Sequence, residues 1–197
     1  MGKEQGFRLV VNVTDPATDF TKNPVHGLQL VGIHAGAGIE MITVDKEGAT
    51  FFSKSDKTVN LAITGSTPYG VSQGDEPVSP LLYGLGIESG KATSGIEVVA
   101  PEKTPVCADL RNPRVGSYIV CDHGFSAPEF AQLEVMYLEV SKGVPSTMPE
   151  NCVAVKLLPE CAPLVLKDAT YDHSNIVDTT CHAGKVAEID WSKQEYC

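Results

Sequence analysis

In the stretch Phe7 to Val13 every odd position is apolar (Phe7, Leu9, Val11, Val13), the period-two pattern of a strand with one face on a core. Similar short runs recur at Gly27–Ile33, Ile39–Val44, Thr50–Ser53, Val59–Thr64, Leu81–Ile87 and Ile96–Ala100. Between the second and third lies His34-Ala35-Gly36-Ala37-Gly38, a glycine-rich break that reads as a turn or a bulge. Three denser runs follow: Gly116–Asp122, Gln132–Val140 and Asn151–Cys161. They make the stretch from Tyr118 to Cys161 the expected heart of the domain.

Thr14–His26, Gly65–Pro80 and Pro101–Arg114 read as loops, being rich in proline, glycine, aspartate and threonine. A weak helical pattern covers Ala127–Leu138 after an Ala-Pro-Glu start. From Ala162 onward the pattern fades, and Cys181 and Cys197 are the residues able to tie that segment down. Short strands with thirteen prolines and eighteen glycines predict an all-β fold, an antiparallel β sandwich or barrel with a less regular C-terminal tail. Residues 7–161 are expected to form the β domain, and 162–197 a disulfide-tethered extension of it.

Composition narrows the function. Twenty-five acidic residues against fifteen basic ones give a formal net charge of −10, with no basic cluster, so the cationic footprint needed for nucleic acid is missing. No apolar stretch approaches the roughly 20 residues that cross a membrane as a helix. Cys107, Cys121, Cys152, Cys161, Cys181 and Cys197 are even in number and contain no Cys-x-x-Cys spacing, which predicts disulfides formed in an oxidising compartment. Cys121 with Cys152 is the expected first bridge; the order of the other four stays open. The amino terminus carries no apolar leader, so secretion implies a signal peptide removed ahead of this methionine. Asn12-Val13-Thr14 is a glycosylation sequon, and strand alternation would turn Asn12 toward solvent.

Enzyme motifs fail residue by residue. The glycines at 32, 36 and 38 lack the dinucleotide spacing, since Met41 stands where the third glycine would fall. Gly84–Ala92 fails as a phosphate loop because Leu85 replaces its first glycine and Ala92 its Ser or Thr. The cysteines are better used in bridges than as free nucleophiles. Cys121-Asp122-His123, and Asp172, His173, Asp178 and His182, offer metal-ligand atom types without the spacing of a known metal helix. The expectation is therefore a protein without catalytic residues, metal or cofactor. Recognition would fall to the loops Gly65–Pro80 and Asp122–Glu129, with Tyr69, Gly70, Gln73, Asp75, His123 and Phe125 as candidate contacts.

Taken together, His34-Ala35-Gly36-Ala37-Gly38, Pro68-Tyr69-Gly70, Tyr118–Asp122 and Cys152–Pro159 resemble a family of small secreted cysteine-containing proteins of ascomycete fungi. That family has a His-x-Gly-Ala-Gly turn, a Val-Cys-Asp strand and a Cys-x-x-Val-x-Leu-x-Pro strand. The resemblance spans about residues 7–161 and implies a secreted all-β domain with Cys121 bridged to Cys152. Some such proteins from plant pathogens look like effectors that act on host proteins outside the cell. Here His123 stands where the family pattern has an aromatic residue, and the tail with Cys161, Cys181 and Cys197 looks additional.

The expected function is that of a secreted, monomeric, non-enzymatic effector that binds and inhibits a host extracellular enzyme, with a papain-like cysteine protease as the leading target. The Gln-x-Val-x-Gly of cystatins is absent. The alternative is a carbohydrate- or cell-wall-binding sandwich that uses Tyr69, Tyr83, Phe125 and Trp191 as stacking platforms.

Overall fold

The structure is a computed structural model that describes residues 1–102, 107–122, 133–141, 147–189 and 191. Its strands are β1 (Gly2–Glu4), β2 (Gly6–Val13), β3 (Gln29–Gly36), β4 (Ile39–Asp45), β5 (Phe51–Lys54), β6 (Thr58–Leu61), β7 (Tyr69–Gln73) and β8 (Leu82–Ser89). They continue as β9 (Glu97–Val99), β10 (Asp109–Arg111), β11 (Gly116–Asp122), β12 (Leu133–Glu139), β13 (Cys152–Ala162), β14 (Ile176–Val177) and β15 (Thr179–Cys181). Among the described residues helical structure is confined to short 3-10 turns such as Pro16–Thr18 and Val186–Glu188.

Eight strands close an antiparallel barrel in the order β2, β13, β11, β12, β8, β7, β6, β5 and back to β2. Closure removes the free edges at which an open sheet would template aggregation. Two strands share one edge between two partners. Residues 82–84 of β8 pair with β12 and residues 86–88 with β4. On β2, Gly6 and Phe7 pair with β5, and Val10 with Gln29 of β3. The β3–β4 hairpin therefore spans from β2 to β8. Its turn is the glycine-rich break, where the register shifts between His34 and Gly36 and Gly38 takes a φ of 72° that favours glycine.

The odd residues of β2 behave as their alternation predicts, and all four enter the main core with Leu30, Ile42, Phe51, Val71, Ile87, Val120 and Leu157. Phe7 stacks on Phe51 with ring centroids 6.5 Å apart. The outer faces are also covered. Ile119, Cys121, Met136, Leu138 and Cys152 form a second buried cluster, and Val10, Leu158 and Val186 a third, packed by Trp191.

The expectation that Asn12 faces solvent is corrected. Its side chain does point away from the main core, but it is only 8% exposed, so the sequon does not present a free amide to solvent. Alternation says which face a residue takes; it does not say whether that face is bare. Three further expectations change. Gly65–Pro80 contains β7, because Tyr69–Gln73 completes a ladder along β8 from Ser89 to Leu85. Pro101–Arg114 contains β10, paired with β9. Leu133–Glu139 is strand, as the dense run Gln132–Val140 predicts and against the weak helical pattern of Ala127–Leu138, since β12 is held on both edges, by β11 and β8.

Two disulfides hold the described residues, Cys121–Cys152 and Cys161–Cys181. The first links directly opposed residues of β11 and β13. The second joins β13 to β15, which also pairs with β1, while β14 pairs with β5. Tyr171 stacks on Phe52 at 6.3 Å, so the segment after residue 161 is packed onto the barrel. Cys107 is also disulfide-bonded. Cys197, His123 and Phe125 lie outside the described residues.

Candidate functional site

Where β2 ends and β11 begins, the wall opens into a cavity of about 370 Å³. Its lining includes Asp109, Arg111, Arg114, Ser117, Tyr118 and Lys156. The short loop from Asn112 to Val115, between β10 and β11, forms one side and is held from several strands at once. The Asn112 side-chain amide donates to Gln73 Oε1 at 2.5 Å, and its carbonyl accepts from the Arg114 backbone N–H at 2.9 Å. The Tyr137 hydroxyl donates to the Arg114 carbonyl at 2.6 Å. The Arg114 guanidinium lies over the Tyr83 ring, 4.3 Å from its centroid, and its Nη1 is 2.8 Å from Glu139 Oε2.

Charge in the cavity runs against that of the whole chain. Arg111 Nε meets Asp109 at 3.1 Å, Arg114 is held by Glu139, and among the described residues Lys156 has no ion pair. Each guanidinium keeps N–H groups beyond the one that its carboxylate engages. Tyr118 and Tyr137 pack edge to face at 5.1 Å. Burial, and then the Glu139 carboxylate, push the Tyr137 phenol up to about 12. Burial, followed by Tyr137, raises the Tyr118 phenol further, so it stays protonated and able only to donate its proton or accept. The Tyr118 hydroxyl is buried beside the Asn112 side-chain amide, which opposes that rise, and it closes no hydrogen bond of good geometry.

The residues expected to form a recognition loop are distributed differently. Tyr69, Gly70 and Gln73 are in β7. Gln73 is 5% exposed and reaches the cavity only through Asn112. Asp75 remains at the surface, 3.9 Å from Lys91 Nζ. Of the proposed sugar platforms, Tyr83 is buried under Arg114, Tyr69 packs against the main core and Trp191 against His182. Cys121 is oxidised, and among the described residues no three His, Cys, Asp or Glu side chains come together as metal ligands. The sequence did hold a signal for the cavity in Arg111-Asn112-Pro113-Arg114, two arginines flanking a turn dipeptide in a chain short of basic residues.

Residues 4–161 match a domain of unknown function, DUF7907. The chain belongs to this family. All the lining residues of the cavity, from Thr14 to Lys156, fall within the DUF7907 match. The chain is also similar to the antigenic protein SchS34 of Stachybotrys chartarum, at 26% identity over 206 residues that cover 96% of this chain and 90% of that protein. That similarity continues past residue 161, where the DUF7907 match ends. No solved structure matches. The disulfides and the fungal antigenic relative are consistent with an extracellular protein.

Proposed function

We propose that this protein is a secreted, non-catalytic binding protein that engages a host protein outside the fungal cell through the barrel end around Asn112–Val115. One observation carries the reading: two large apolar side chains stand exposed on a held backbone. Val115 is 73% exposed and Val140 53%, and the Val140 N–H donates to the Val115 carbonyl at 2.7 Å. Exposed valines fixed side by side, with Arg114 and its Glu139 partner at the rim, have the make-up of an apolar contact patch with a polar border. The disulfides and the closed barrel keep such a patch in shape without a cytosolic environment.

An extracellular papain-like cysteine protease is the first partner to test, in the role of an inhibited host enzyme. The assay follows fluorogenic cleavage by several such proteases with rising amounts of oxidised protein. Saturable inhibition that Val115→Asp with Val140→Asp abolishes supports the reading. Full protease activity at micromolar protein removes that target.

A further inference from the structure

The eight-strand ring closes on itself, but the β3–β4 hairpin keeps part of one edge open. On that edge the Leu28 and Leu30 carbonyls accept from the Val11 and Ala49 N–H groups at 2.8 and 2.9 Å. Main-chain groups of a strand alternate from edge to edge, so Gly32 and His34 point the same way as Leu30, while Val31 and Ile33 bond to Thr43 and Met41 of β4. No described strand lies beside Gly32 and His34 there, which leaves their N–H and C=O groups unpaired among the described residues. His34 is exposed and Gly32 half-buried. We propose that a second copy of this chain pairs along this edge, β3 against β3 in antiparallel register, about a two-fold axis at Ile33. None of these residues belongs to the Val115–Val140 patch, and the pairing stands whether or not that patch binds a host protein.

The first argument is that the edge is complementary to itself. About such an axis Gly32 of each copy faces His34 of the other, and the two pairs exchange four N–H···O bonds. Natural sheets blunt an edge that must stay single with charges or proline. β3 holds no Lys, Arg, Asp, Glu or Pro, whereas β1 carries Lys3 and Glu4, both exposed.

The second argument is apolar surface that the fold does not use. Val31 and Ile33 are half-buried, yet neither belongs to the three buried clusters nor packs against them among the described residues. On the axis Ile33 meets Ile33 of the second copy as a non-hydrogen-bonded pair, the closer of the two cross-strand spacings.

The third argument is charge. Glu40 stands opposite His34 on β4, and its Oε2 fills the place that a side chain on residue 32 would take. Burial pushes the Glu40 carboxyl up, and His34 opposes that rise. Directly opposed residues share a face, so His34 of the second copy arrives over Gly32 on the face that Glu40 covers, and brings an imidazole N–H to its carboxylate. The axis repeats this contact.

The test is sedimentation velocity of the oxidised protein at pH 7 over a range of concentrations. A reversible monomer–dimer equilibrium is expected, with a Kd of about 1–100 µM for so small a contact. Ile33→Lys should raise that Kd about tenfold or more by bringing two ammonium groups together on the axis, and Glu40→Gln should raise it as well. Ile33→Cys, oxidised with copper phenanthroline, should give a covalent dimer, because the paired Cα atoms would lie about 4.5 Å apart. Val31→Cys, off the axis, should give far less. The double variant Val115→Asp with Val140→Asp should leave the equilibrium unchanged. A single monomer up to about 500 µM, a dimer indifferent to Ile33→Lys, equal crosslinking at 31 and 33, or a dimer lost in the valine double variant would each overturn the proposal.

Discussion

Tyr118 and Tyr137 face each other across β11 and β12 with ring centroids 5.1 Å apart, yet only the Tyr137 hydroxyl closes a hydrogen bond of good geometry, to the Arg114 carbonyl. The same residue type, in one cross-strand pair, does two different jobs. Tyr137 fastens the Asn112–Val115 loop, whereas the Tyr118 phenol is shut in beside Asn112.

Removing the two hydroxyls should therefore move stability in opposite directions. Tyr137→Phe loses a made hydrogen bond and should cost about 1 kcal/mol. Tyr118→Phe deletes a buried hydroxyl that closes no hydrogen bond of good geometry, and should be neutral or stabilising by up to about 2 kcal/mol. Urea unfolding of both variants checks this. Equal destabilisation would mean that the Tyr118 phenol is already satisfied.

The two disulfides should differ in what they hold. Their sequence separations are 31 for Cys121–Cys152 and 20 for Cys161–Cys181. Loop-closure entropy then assigns about 4 kcal/mol to the first and about 3 kcal/mol to the second. Replacing the first pair with alanine should lower the midpoint of one global transition. Replacing the second should expose the segment from Ala162 to Cys181 first, read as early hydrogen exchange at β15.

Gly70 should tolerate no side chain. A Cβ there would sit 2.4 Å from both the Ala92 Cβ and the Lys91 carbonyl oxygen, so Gly70→Ala forces that crossing segment away from β7. The expected cost is about 1–3 kcal/mol. Gly36→Ala is the control: nothing lies within 4 Å of its Cβ, and the change should stay within about 0.5 kcal/mol. Thermal melts of the two variants give the comparison.

Acid should weaken the fold through His182. The residue is buried, and burial holds its imidazole below the ordinary value of 6.5. The unfolded chain thus takes up this proton first. Stability is full above about pH 6.5 and falls as the pH drops toward the lower folded value, by at most about 1.4 kcal/mol per pH unit. His182→Leu should flatten that part of the profile in denaturant titrations between pH 7 and pH 5. An unchanged slope would place the acid sensitivity elsewhere.

The barrel walls could be read from the sequence because alternation is local. Phe7 to Val13, and the three runs around Cys121 and Cys152, carry their inward faces in their own spacing, and the first bridge follows from two of those runs. What alternation does not carry is partner identity. Tyr69–Gln73 looks like a polar turn because only Val71 in it joins the main core as a fully buried side chain; the ladder along β8 makes it a strand. The weak helical pattern after Ala127 gave way over Leu133–Leu138, where strands on both edges outweigh local propensity.

The sequence by itself determined an all-β, disulfide-stapled chain with a core of alternating residues. Only the tertiary structure decided where the site lies. Gln73 and Asn112 are 39 residues apart, Tyr118 and Tyr137 come from different strands, and Lys156 arrives on β13. Their convergence depends on which strands pair and in what register, and those pairings are set by closure of the whole barrel. Asn12 shows the same limit from the other side, since its face followed from the spacing while its burial depended on what the folded chain laid over that face.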